Sequence, residues 1–510
     1  MYAGDWTPRL AELFGDREAL YEVRTGRRYS YRELHAAVDD AARLLASLGV
    51  TAGDRVAVLA ANRTETFLLL FACGRLGALL VPLNWRLKEP ELAFLVEDAE
   101  PALLFFDAAH AFMAGRLCAG RKTLAVAFDP APAGDDAFEG STQVLHWPEQ
   151  VASLRAKPAP KQAPIDGETP WMVLYTSGTT GHPKGALIPH RQVAYNALNT
   201  LIALDLTRED RTVTYTPLFH TGALHVLSTP LFAKGGSVVL LDRFDAEEVV
   251  ELTASEGCTV LFGVPTTFEL MSETPAFTRA DLSRIRFALC GGAPCPIALI
   301  ERYAQRGIVF KQGYGLTEVG PNCLNLPESE ALSRAGSAGR PNLHIVARIE
   351  DEGQVVEGAG RGELCLAGPC VFLGYWRRPE ANEQAFTHDG FFRTGDIVER
   401  DAEGWYAIVD RAKDMFISGG ENVYPAEVEK VLASHPAVRA CAVVGIPDPK
   451  WGEVGRAFLE LRQACDTESI RSWLKEHLAG YKVPKEFVPV ESLPRNPSGK
   501  IQKHLLPRSP

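Results

Sequence analysis

Short apolar runs alternate with helix-like patterns through the first half of the chain, and this alternation limits the fold more than any other feature. Residues 56–60, 79–83 and 102–106 have the length and apolar character of buried strands. Residues 64–78, between the first two runs, have the length of a helix. A strand–helix–strand succession predicts a parallel or mixed sheet with helices on its faces. The chain is therefore predicted to be an α/β protein.

A second alternating series follows, and the pattern then changes. Further strand-like runs occur at 171–177, 212–216, 237–241, 259–264, 286–289 and 308–312. Residues 128–170 are rich in Pro, Ala, Gly and Asp and predict a surface connection between two subdomains. From about residue 335 to 410, short strands with glycine turns predict a small β-subdomain.

The last hundred residues predict a separate, compact α+β unit. Helical patterns occupy 425–434 and 468–478, and strand-like runs occupy 438–446, 453–461 and 487–490. The fold class predicted is thus a large N-terminal domain of several subdomains, with mixed sheets flanked by helices and a small β-subdomain. A small, mobile α+β domain follows it at the C-terminus.

Composition and charge exclude several classes of protein. The 510 residues are 46% hydrophobic and 23% charged, which is typical of a globular chain. Fifty-three basic residues against 64 acidic ones give a net charge of −11, which argues against a nucleic-acid partner. Ten scattered cysteines without a CxxC pair predict reduced thiols and a cytoplasmic location.

No segment predicts secretion or a transmembrane span. The N-terminus lacks a charged region followed by an apolar one. The apolar stretch 67–83 contains Arg75 and two glycines, so it predicts a buried helix that runs into a strand. A monomer and a homodimer are both compatible with the sequence.

The strongest local motif is TSGTTGHPKG at residues 176–185, between two apolar strands. Backbone N–H groups freed by Gly178 and Gly181 can surround phosphate oxygens. The hydroxyl groups of four residues add donors, and Lys184 adds a positive charge. The GxxxxGK[ST] spacing of a Walker A loop is absent. The motif predicts phosphate binding, although a polar hairpin turn would also account for its glycines.

This loop resembles that of the adenylate-forming enzymes, a superfamily that includes acyl-CoA synthetases, nonribosomal peptide adenylation domains and firefly luciferase. Seven further motifs resemble those of the superfamily in the same order. They are YTPLFHTG (215–222), CGGAP (290–294), GYGLTE (313–318), FRTGD (392–396), DRAKD (410–414), SGGENVYPAEVE (418–429) and PSGK (497–500). Eight motifs in order make coincidence negligible, and the resemblance covers essentially the whole chain.

The resemblance implies a two-step reaction on a small-molecule carboxylic acid. The acid first attacks the α-phosphate of ATP, which gives an acyl-adenylate and pyrophosphate. A thiol, usually that of coenzyme A, then displaces AMP. The implied activity is an AMP-forming acid–CoA ligase that uses ATP, Mg²⁺ and CoA.

The resemblance also implies the residues of the nucleotide site. Glu318 would hold Mg²⁺, Thr317 would bind the α-phosphate, and Asp396 would accept hydrogen bonds from the ribose. Tyr314 and the turn at Gly291 would enclose the adenine. The full ATP and AMP set is Thr176, Ser177, Gly178, Thr179, Thr180, Gly181, Lys184, Gly292, Ala293, Gly313, Tyr314, Gly315, Thr317, Asp396, Arg411 and Lys500.

Two lysines are implied to act through movement of the C-terminal domain. Lys500 would stabilise negative charge in the adenylation step. Lys413 matches the hinge, so the domains are predicted as 1–410 and 414–510, joined by 411–413. After rotation about this hinge, Gly419, Gly420 and Glu421 would line the CoA channel.

The residues implied for the acid pocket include no carboxylate. The YTPLFHTG motif has His220 where amino-acid-activating relatives carry an Asp, so an amino acid substrate is not expected. His220 is implied as a catalytic residue that gates the passage between the pocket and the pantetheine tunnel, unless it only packs. The implied pocket residues are His220, Thr221, Gly222, Leu224, Val264, Cys290, Gly291, Gly315, Val319 and Gly320.

The identity of the acid stays open at this stage. The pocket residues are small or apolar and none is basic, which favours a medium- or long-chain fatty acid. A phenylpropanoid acid such as ferulate or coumarate fits the same walls. A third hypothesis is an adenylating enzyme that transfers the acyl group to a carrier protein instead of CoA.

Overall fold

The computed structural model describes residues 4–130, 144–176, 183–293, 295–411, 414–418, 421–448, 451–478, 480–496 and 499–508. For residues 410, 411, 417, 421 and 422 it describes the backbone alone.

The strands are numbered in chain order. They are β1 (Glu18–Glu22), β2 (Arg27–Ser30), β3 (Arg55–Leu59), β4 (Leu79–Pro82), β5 (Leu103–Phe106), β6 (Leu124–Ala127), β7 (Val144–His146), β8 (Pro170–Thr176), β9 (Lys184–Pro189), β10 (Arg211–Thr214), β11 (Ser237–Leu240), β12 (Val260–Gly263), β13 (Phe287–Cys290), β14 (Val309–Leu316), β15 (Gly320–Asn325), β16 (Arg340–Pro341), β17 (Val346–Asp351), β18 (Gln354–Val355), β19 (Gly360–Ala367), β20 (Phe392–Arg400), β21 (Tyr406–Arg411), β22 (Phe416–Ser418), β23 (Glu421–Val423), β24 (Val438–Asp448), β25 (Gly452–Leu461) and β26 (Glu486–Pro489).

The helices are numbered in the same way. They are α1 (Thr7–Phe14), α2 (Tyr31–Ser47), α3 (Thr64–Leu76), α4 (Glu89–Ala99), α5 (Ala111–Cys118), α6 (Trp147–Leu154), α7 (His190–Ala203), α8 (Thr229–Lys234), α9 (Ala246–Ser255), α10 (Pro265–Ser272), α11 (Pro275–Arg279), α12 (Ile297–Ala304), α13 (Pro379–Ala385), α14 (Pro425–Ala433) and α15 (Thr467–His477). A π-helix spans Gly222–Ser228, and 3₁₀ turns lie at Val23–Thr25, Ala108–His110, Glu328–Glu330 and Lys503–Leu505.

The first alternating series forms a seven-stranded sheet in the order β7-β6-β5-β3-β4-β8-β9. Its strands are parallel except for the β8–β9 hairpin. The expected surface connection at 128–170 is wrong in part, because β7 and α6 lie in that stretch and β7 extends this sheet. β8 joins the same sheet through β4, so the stretch does not connect separate sheets.

The core of this body forms around α3, which is buried on all sides. The helix begins directly after its N-cap residue, Arg63. Gly74 lets the helix approach the indole of Trp171 closely. A Cβ at Gly74 would lie 2.9 Å from the Trp171 Nε1 atom, so any larger residue there would force the indole or the helix to shift. The predicted helix at 64–78, running into a strand, is confirmed within about two residues.

Two further sheets carry the second alternating series. One has the order β10-β11-β1-β2, and the other has the order β12-β13-β14-β15-β16. In the latter, β12, β13 and β14 are parallel and β14 turns back antiparallel into β15. Their parallel strands end at one edge, where the loops after β12, β13 and β14 meet.

The predicted small β-subdomain and C-terminal α+β unit are both present. The former is an antiparallel sheet in the order β18-β17-β19-β20-β21. The latter is a sheet in the order β23-β22-β25-β24 with β26 beside β25, packed against α14 and α15 around Val428, Leu432 and Ile470. The predicted fold class is therefore confirmed. Within the described ranges, no helix is long and apolar enough to cross a membrane.

Candidate active site

The β8–β9 hairpin positions both ends of the predicted phosphate loop. Thr176 ends β8, Lys184 begins β9, and the two residues are paired in the ladder. The Thr176 hydroxyl donates a hydrogen bond of 3.4 Å to the Lys184 carbonyl oxygen. The loop residues Ser177, Gly178, Thr179, Thr180 and Gly181 lie outside the described residues.

Tyr375 lies between the two charged groups that the sequence assigned to ATP and Mg²⁺. Its hydroxyl donates a hydrogen bond of 3.0 Å to Glu318 Oε1. The Lys184 Nζ atom lies 5.2 Å from the centre of the Tyr375 ring. A β-bridge between Ala186 and Tyr375 holds this segment against β9. Sequence reasoning missed Tyr375, because its partners are far along the chain and only its place after Gly374 hinted at a turn.

The carboxylate of Glu318 fits a Mg²⁺ ligand. The residue is only 8% exposed, and its backbone carbonyl accepts a 2.7 Å hydrogen bond from Phe372 N–H. Across the described part of the chain, no three His, Cys, Asp or Glu side chains gather into a metal site. Mg²⁺ commonly takes one or two carboxylates and completes its ligands with substrate phosphates and water, and the single carboxylate of Glu318 is compatible with that pattern.

The turn between β14 and β15 is built on close backbone contact. A Cβ on Gly315 would lie 2.1 Å from the Pro321 carbonyl carbon, so only glycine fits there. The Gln192 side chain donates a 2.8 Å hydrogen bond to the Thr317 carbonyl oxygen and fixes this turn from α7. Gly313 precedes the turn on the same strand.

Tyr314 and Asp396 meet across two sheets. The Tyr314 hydroxyl donates a hydrogen bond of 2.6 Å to Asp396 Oδ2. Burial and the adjacent Asp396 carboxylate raise the pKa of Tyr314 well above its usual value, so the hydroxyl stays protonated. Asp396 pairs with Arg411 in the β20–β21 ladder, which brings the backbone of the predicted ribose-binding arginine beside it.

The turn that is predicted to enclose the adenine follows β13. Gly292 has a φ of +79°, a conformation that favours glycine. The Gly291 N–H donates a 3.1 Å hydrogen bond to the Gly263 carbonyl oxygen, so the ends of β12 and β13 stay together. Ala293 follows directly, and the neighbouring Gly313 lies on the next strand.

A narrow cleft around Phe262 includes two of the residues that the sequence predicts for the acid pocket, Gly222 and Gly291. A Cβ on Gly222 would lie 3.0 Å from the Phe262 ring, and one on Gly291 would lie 3.4 Å from it. The remaining cavity, of about 10 Å³, is lined by Thr214, Gly222, Leu227 and Phe262 among others. Sequence patterns do not single out Phe262, because it lies inside a strand like many core residues.

Several predicted pocket residues are placed elsewhere. Leu224 and Val319 are fully buried and are not among the residues that line this cavity. Cys290 points to the opposite face of the sheet, where burial raises its thiol pKa. Gly320 packs against the Asn196 side chain, and Gly315 packs against Pro321. Thr221 directly precedes the π-helix at the pocket.

The His220 side chain is a neutral imidazole, two residues before Gly222 of the cleft. Burial lowers its pKa to about 4, and the Arg86 guanidinium adds to the effect. Its ring lies 4.5 Å from that of Phe219. His220 Nε2 is buried and makes no hydrogen bond to any described residue.

The Lys500 turn reaches the pocket. Asn496 N–H and Lys500 O form a 2.8 Å hydrogen bond, and the Lys500 N–H donates to Asn496 Oδ1 at 2.8 Å. A Cβ on Gly499 would lie 3.7 Å from Thr266 Oγ1 and 3.9 Å from Val264 Cγ2. The C-terminal turn therefore lies against Val264, at the end of β12.

Two side-chain contacts accompany this arrangement. The Arg462 guanidinium lies 2.9 Å from the Glu269 carboxylate, and the Arg361 guanidinium lies 3.7 Å from the centre of the Tyr424 ring. Lys413, Gly419 and Gly420 lie outside the described residues. The backbone of Glu421 pairs with Ser418 in the β22–β23 hairpin.

Comparison with known proteins places this geometry in a family. Residues 8–376 match the model of the AMP-binding enzyme family, and residues 427–500 match that of the AMP-binding enzyme C-terminal domain. The chain is 40% identical to a feruloyl-CoA synthase of Amycolatopsis over 98% of this chain and 97% of that one. It is 37% identical to a long-chain-fatty-acid–CoA ligase of Mycobacterium tuberculosis, over 96% and 94%.

A solved structure agrees with these matches. The o-succinylbenzoate CoA synthetase of Bacillus subtilis, in complex with its acyl-adenylate intermediate, superimposes with a TM-score of 0.85 and 32% identity. The alignment covers 98% of this chain and 97% of that one. The chain therefore belongs to the AMP-binding enzyme family, as one of its acid–CoA ligases.

Proposed function

We propose that the chain activates an aromatic carboxylic acid with ATP and transfers the acyl group to coenzyme A. The observation that carries this proposal is the cleft around Phe262, whose ring lies between Gly222 and Gly291. Glycines at both positions leave peptide planes as walls, and such a space matches a flat ring. An aromatic acid that displaced the Phe262 ring would meet the same walls.

The relatives support an aromatic acid without deciding it. A feruloyl-CoA synthase and an o-succinylbenzoate CoA synthetase both carry names of ring-containing acids. Sequence reasoning favoured a fatty acid, and the fatty-acid ligase relative keeps that as the second candidate. The apolar residues behind Phe262, including Leu227 and Leu289, are the specific observation that favours it.

In the first step, a carboxylate oxygen of the acid bonds to the α-phosphorus of ATP, and the bond to pyrophosphate breaks. Lys184 and the loop it follows are proposed to hold the phosphates. Glu318, held by the Tyr375 hydroxyl, is proposed to bind the Mg²⁺ that neutralises phosphate charge. Thr317 is proposed to donate to the α-phosphate, and Asp396 to receive the ribose hydroxyls.

Lys500 is proposed to stabilise the charge that builds on the α-phosphate during this step. Its turn lies against Val264 and Thr266, at the pocket edge of the sheet. This placement supports a role in adenylation. We propose that rotation about 411–413 then withdraws Lys500 and brings Gly419, Gly420 and Glu421 to a CoA channel.

In the second step, the CoA sulfur bonds to the acyl carbon, and the acyl–phosphate bond breaks with release of AMP. His220 is proposed as the gate between the acid and the thiol. Its imidazole is neutral at physiological pH, so it does not hold the acid carboxylate as an ion pair. A neutral gate leaves that carboxylate free to attack.

The test is a panel of carboxylic acids incubated with ATP, Mg²⁺ and CoA. AMP release and thioester formation are measured together, with controls that omit the acid or the CoA. We expect aromatic acids to exceed C8–C16 fatty acids in kcat/KM. A panel in which only fatty acids form thioesters would replace the aromatic assignment, and release of AMP without a thioester would exclude CoA as the acceptor.

A further inference from the structure

A buried lysine lies in the same layer as the cleft. Lys311 is in β14, where it pairs with Leu289 of β13, which in turn pairs with Phe262 of β12. Paired residues of parallel strands point to the same face of the sheet. Phe262, Leu289 and Lys311 therefore form one row across three strands, and the outer two backbones are about 10 Å apart at ~4.8 Å per strand.

The face of the sheet that carries Lys311 also carries Gly313, a residue of the proposed adenylate site. Gly313 is two residues beyond Lys311 and so lies on this face, and a Cβ on it would meet the Leu289 side chain at 3.0 Å. Leu289 packs with Leu227, which lines the cavity together with Phe262. The row thus forms the floor behind the predicted acid pocket.

The Lys311 ammonium has an unusual environment. The residue is 1% exposed, and its Nζ atom makes no hydrogen bond with any residue that the structure describes. The centre of the Phe287 ring lies 5.2 Å from Nζ, and the charged side chains of Glu328 and Arg286 are close enough to act on the ammonium. Burial lowers the pKa of Lys311 to about 8, with Glu328 opposing the shift, so the group is mostly protonated at neutral pH.

A buried donor without a partner costs free energy, and such groups usually find a partner in the protein, in ordered water or in a ligand. The folding of the chain does not explain the lysine, because Leu or Met would fill an apolar cluster of this kind better. Lys311 is not part of the two-step chemistry described above, since it precedes the reacting end of β14. Its place at the floor of the pocket points instead to the far end of the substrate.

We propose that Lys311 determines substrate specificity by donating a hydrogen bond to an oxygen at the end of the acid remote from the reacting carboxylate. The inference rests on the proposed function, and it names the subclass of aromatic acids: those with a ring hydroxyl or methoxy group. When the Phe262 ring moves aside, the ring of the acid takes its place and the distal oxygen meets Nζ. An acid that lacks this oxygen leaves the ammonium unpaired.

The experiment compares Lys311→Met with the wild-type protein on two acids, 4-hydroxycinnamate and cinnamate, which differ only in the distal oxygen. The ratio of their kcat/KM values is the readout. We expect this ratio to fall by about 10- to 100-fold in the variant, as for other sites that lose a buried hydrogen bond to substrate. Lys122→Met, at an exposed lysine in the turn before β6, is the matched control and should leave the ratio unchanged.

The outcomes separate this inference from the proposed function. If both acids form thioesters and Lys311→Met lowers both equally, the lysine is structural and the inference is overturned while the proposed function stands. Equal use of the two acids by the wild-type protein overturns it too. If no aromatic acid is activated, both are overturned. Lys311→Leu, which also removes the donor and fills the apolar cluster, gives the same comparison if the Met variant does not fold.

Discussion

The Tyr314 hydroxyl and the Asp396 carboxylate belong to different sheets, and a 2.6 Å hydrogen bond joins them. Tyr314 lies in β14 and Asp396 in β20, so the bond connects the residue proposed to face the adenine to the residue proposed to bind the ribose. It also fixes the orientation of a carboxylate that is only 4% exposed.

Replacement of Tyr314 by Phe tests this connection. The variant keeps the ring that would face the adenine but loses the donor to Asp396. Because a hydrogen bond to a charged group contributes about 1.5 kcal/mol, we expect the KM for ATP to rise roughly 10-fold with little change in kcat. Asp396→Asn should cost more, because it also removes the proposed ribose acceptor. An unchanged KM in Tyr314→Phe would show that the bond does not orient Asp396.

Tyr375→Phe tests the support of the metal ligand. The variant removes the hydrogen bond to Glu318 Oε1 but keeps the ring beside Lys184. Groups that orient a metal ligand typically contribute 10- to 100-fold to metal affinity, so the Mg²⁺ concentration for half-maximal adenylation should rise about 10-fold. A Mg²⁺ titration of AMP formation measures it, with Glu318→Gln as the reference for loss of the ligand itself. A shift in the KM for the acid instead would assign Tyr375 to the pocket.

His220→Asn tests the effect of a buried neutral imidazole on stability. The pKa of His220 is about 4 in the folded protein against 6.5 when unfolded, so its contribution is present above pH 6.5 and is lost as the pH falls toward 4. Between pH 7.5 and pH 5.0 this one group removes about 2 kcal/mol from the free energy of unfolding. Urea titrations at both pH values measure the free energy of unfolding. Its decrease from pH 7.5 to pH 5.0 should be smaller in the variant than in the wild-type protein by that amount.

Burial also lowers the pKa values of His190 and His225, to about 3. These two groups reduce the free energy of unfolding over the same pH range, and they do so equally in the wild-type protein and in His220→Asn. The comparison between variant and wild type therefore isolates His220. An identical decrease in the free energy of unfolding in the two proteins would mean that the imidazole of His220 is hydrated in the folded protein.

Sequence patterns predicted the elements well and the side-chain contacts poorly. The strand expected at 286–289 is found at Phe287–Cys290, and the helix expected at 425–434 is found at Pro425–Ala433. Periodicity is a local property, so it marks such elements directly. β7 was missed because three residues within a Pro- and Gly-rich stretch carry little periodic signal.

The contacts at the site depend on pairing over long distances. Tyr375 reaches Glu318 and Lys184 only because its segment bridges to Ala186 of β9. Cys290 was assigned to the pocket from its position in a motif, but the alternation of side chains along β13 turns it to the other face. Lys311 lies outside the motif that begins at Gly313, so the motif did not mark it, but strand pairing places it on the same face of the sheet as Leu289 and Phe262.

The ion pair between Arg462 and Glu269 offers a test of how the C-terminal unit is held during adenylation. The side chains are 43% and 31% exposed, so their net contribution is at most about 1 kcal/mol. Arg462→Glu should lower acid-dependent ATP–pyrophosphate exchange up to about 5-fold and leave thioester formation from preformed acyl-adenylate unchanged. The double variant with Glu269→Arg should recover the exchange rate. Equal losses in both half-reactions would assign the pair to general stability.

Lys500→Ala tests the separation of the two half-reactions most directly. The turn that carries Lys500 lies against Val264 and Thr266, so loss of the ammonium should remove charge stabilisation from adenylation alone. We expect acid-dependent ATP–pyrophosphate exchange to fall by about 100- to 1,000-fold, while thioester formation from preformed acyl-adenylate changes less than about 3-fold. Lys485→Ala, at an exposed lysine of the same unit, is the matched control and should preserve both rates. If Lys500→Ala lowered the two rates to the same extent, the lysine would act on the fold of the C-terminal unit, and its proposed role in the first step would be wrong.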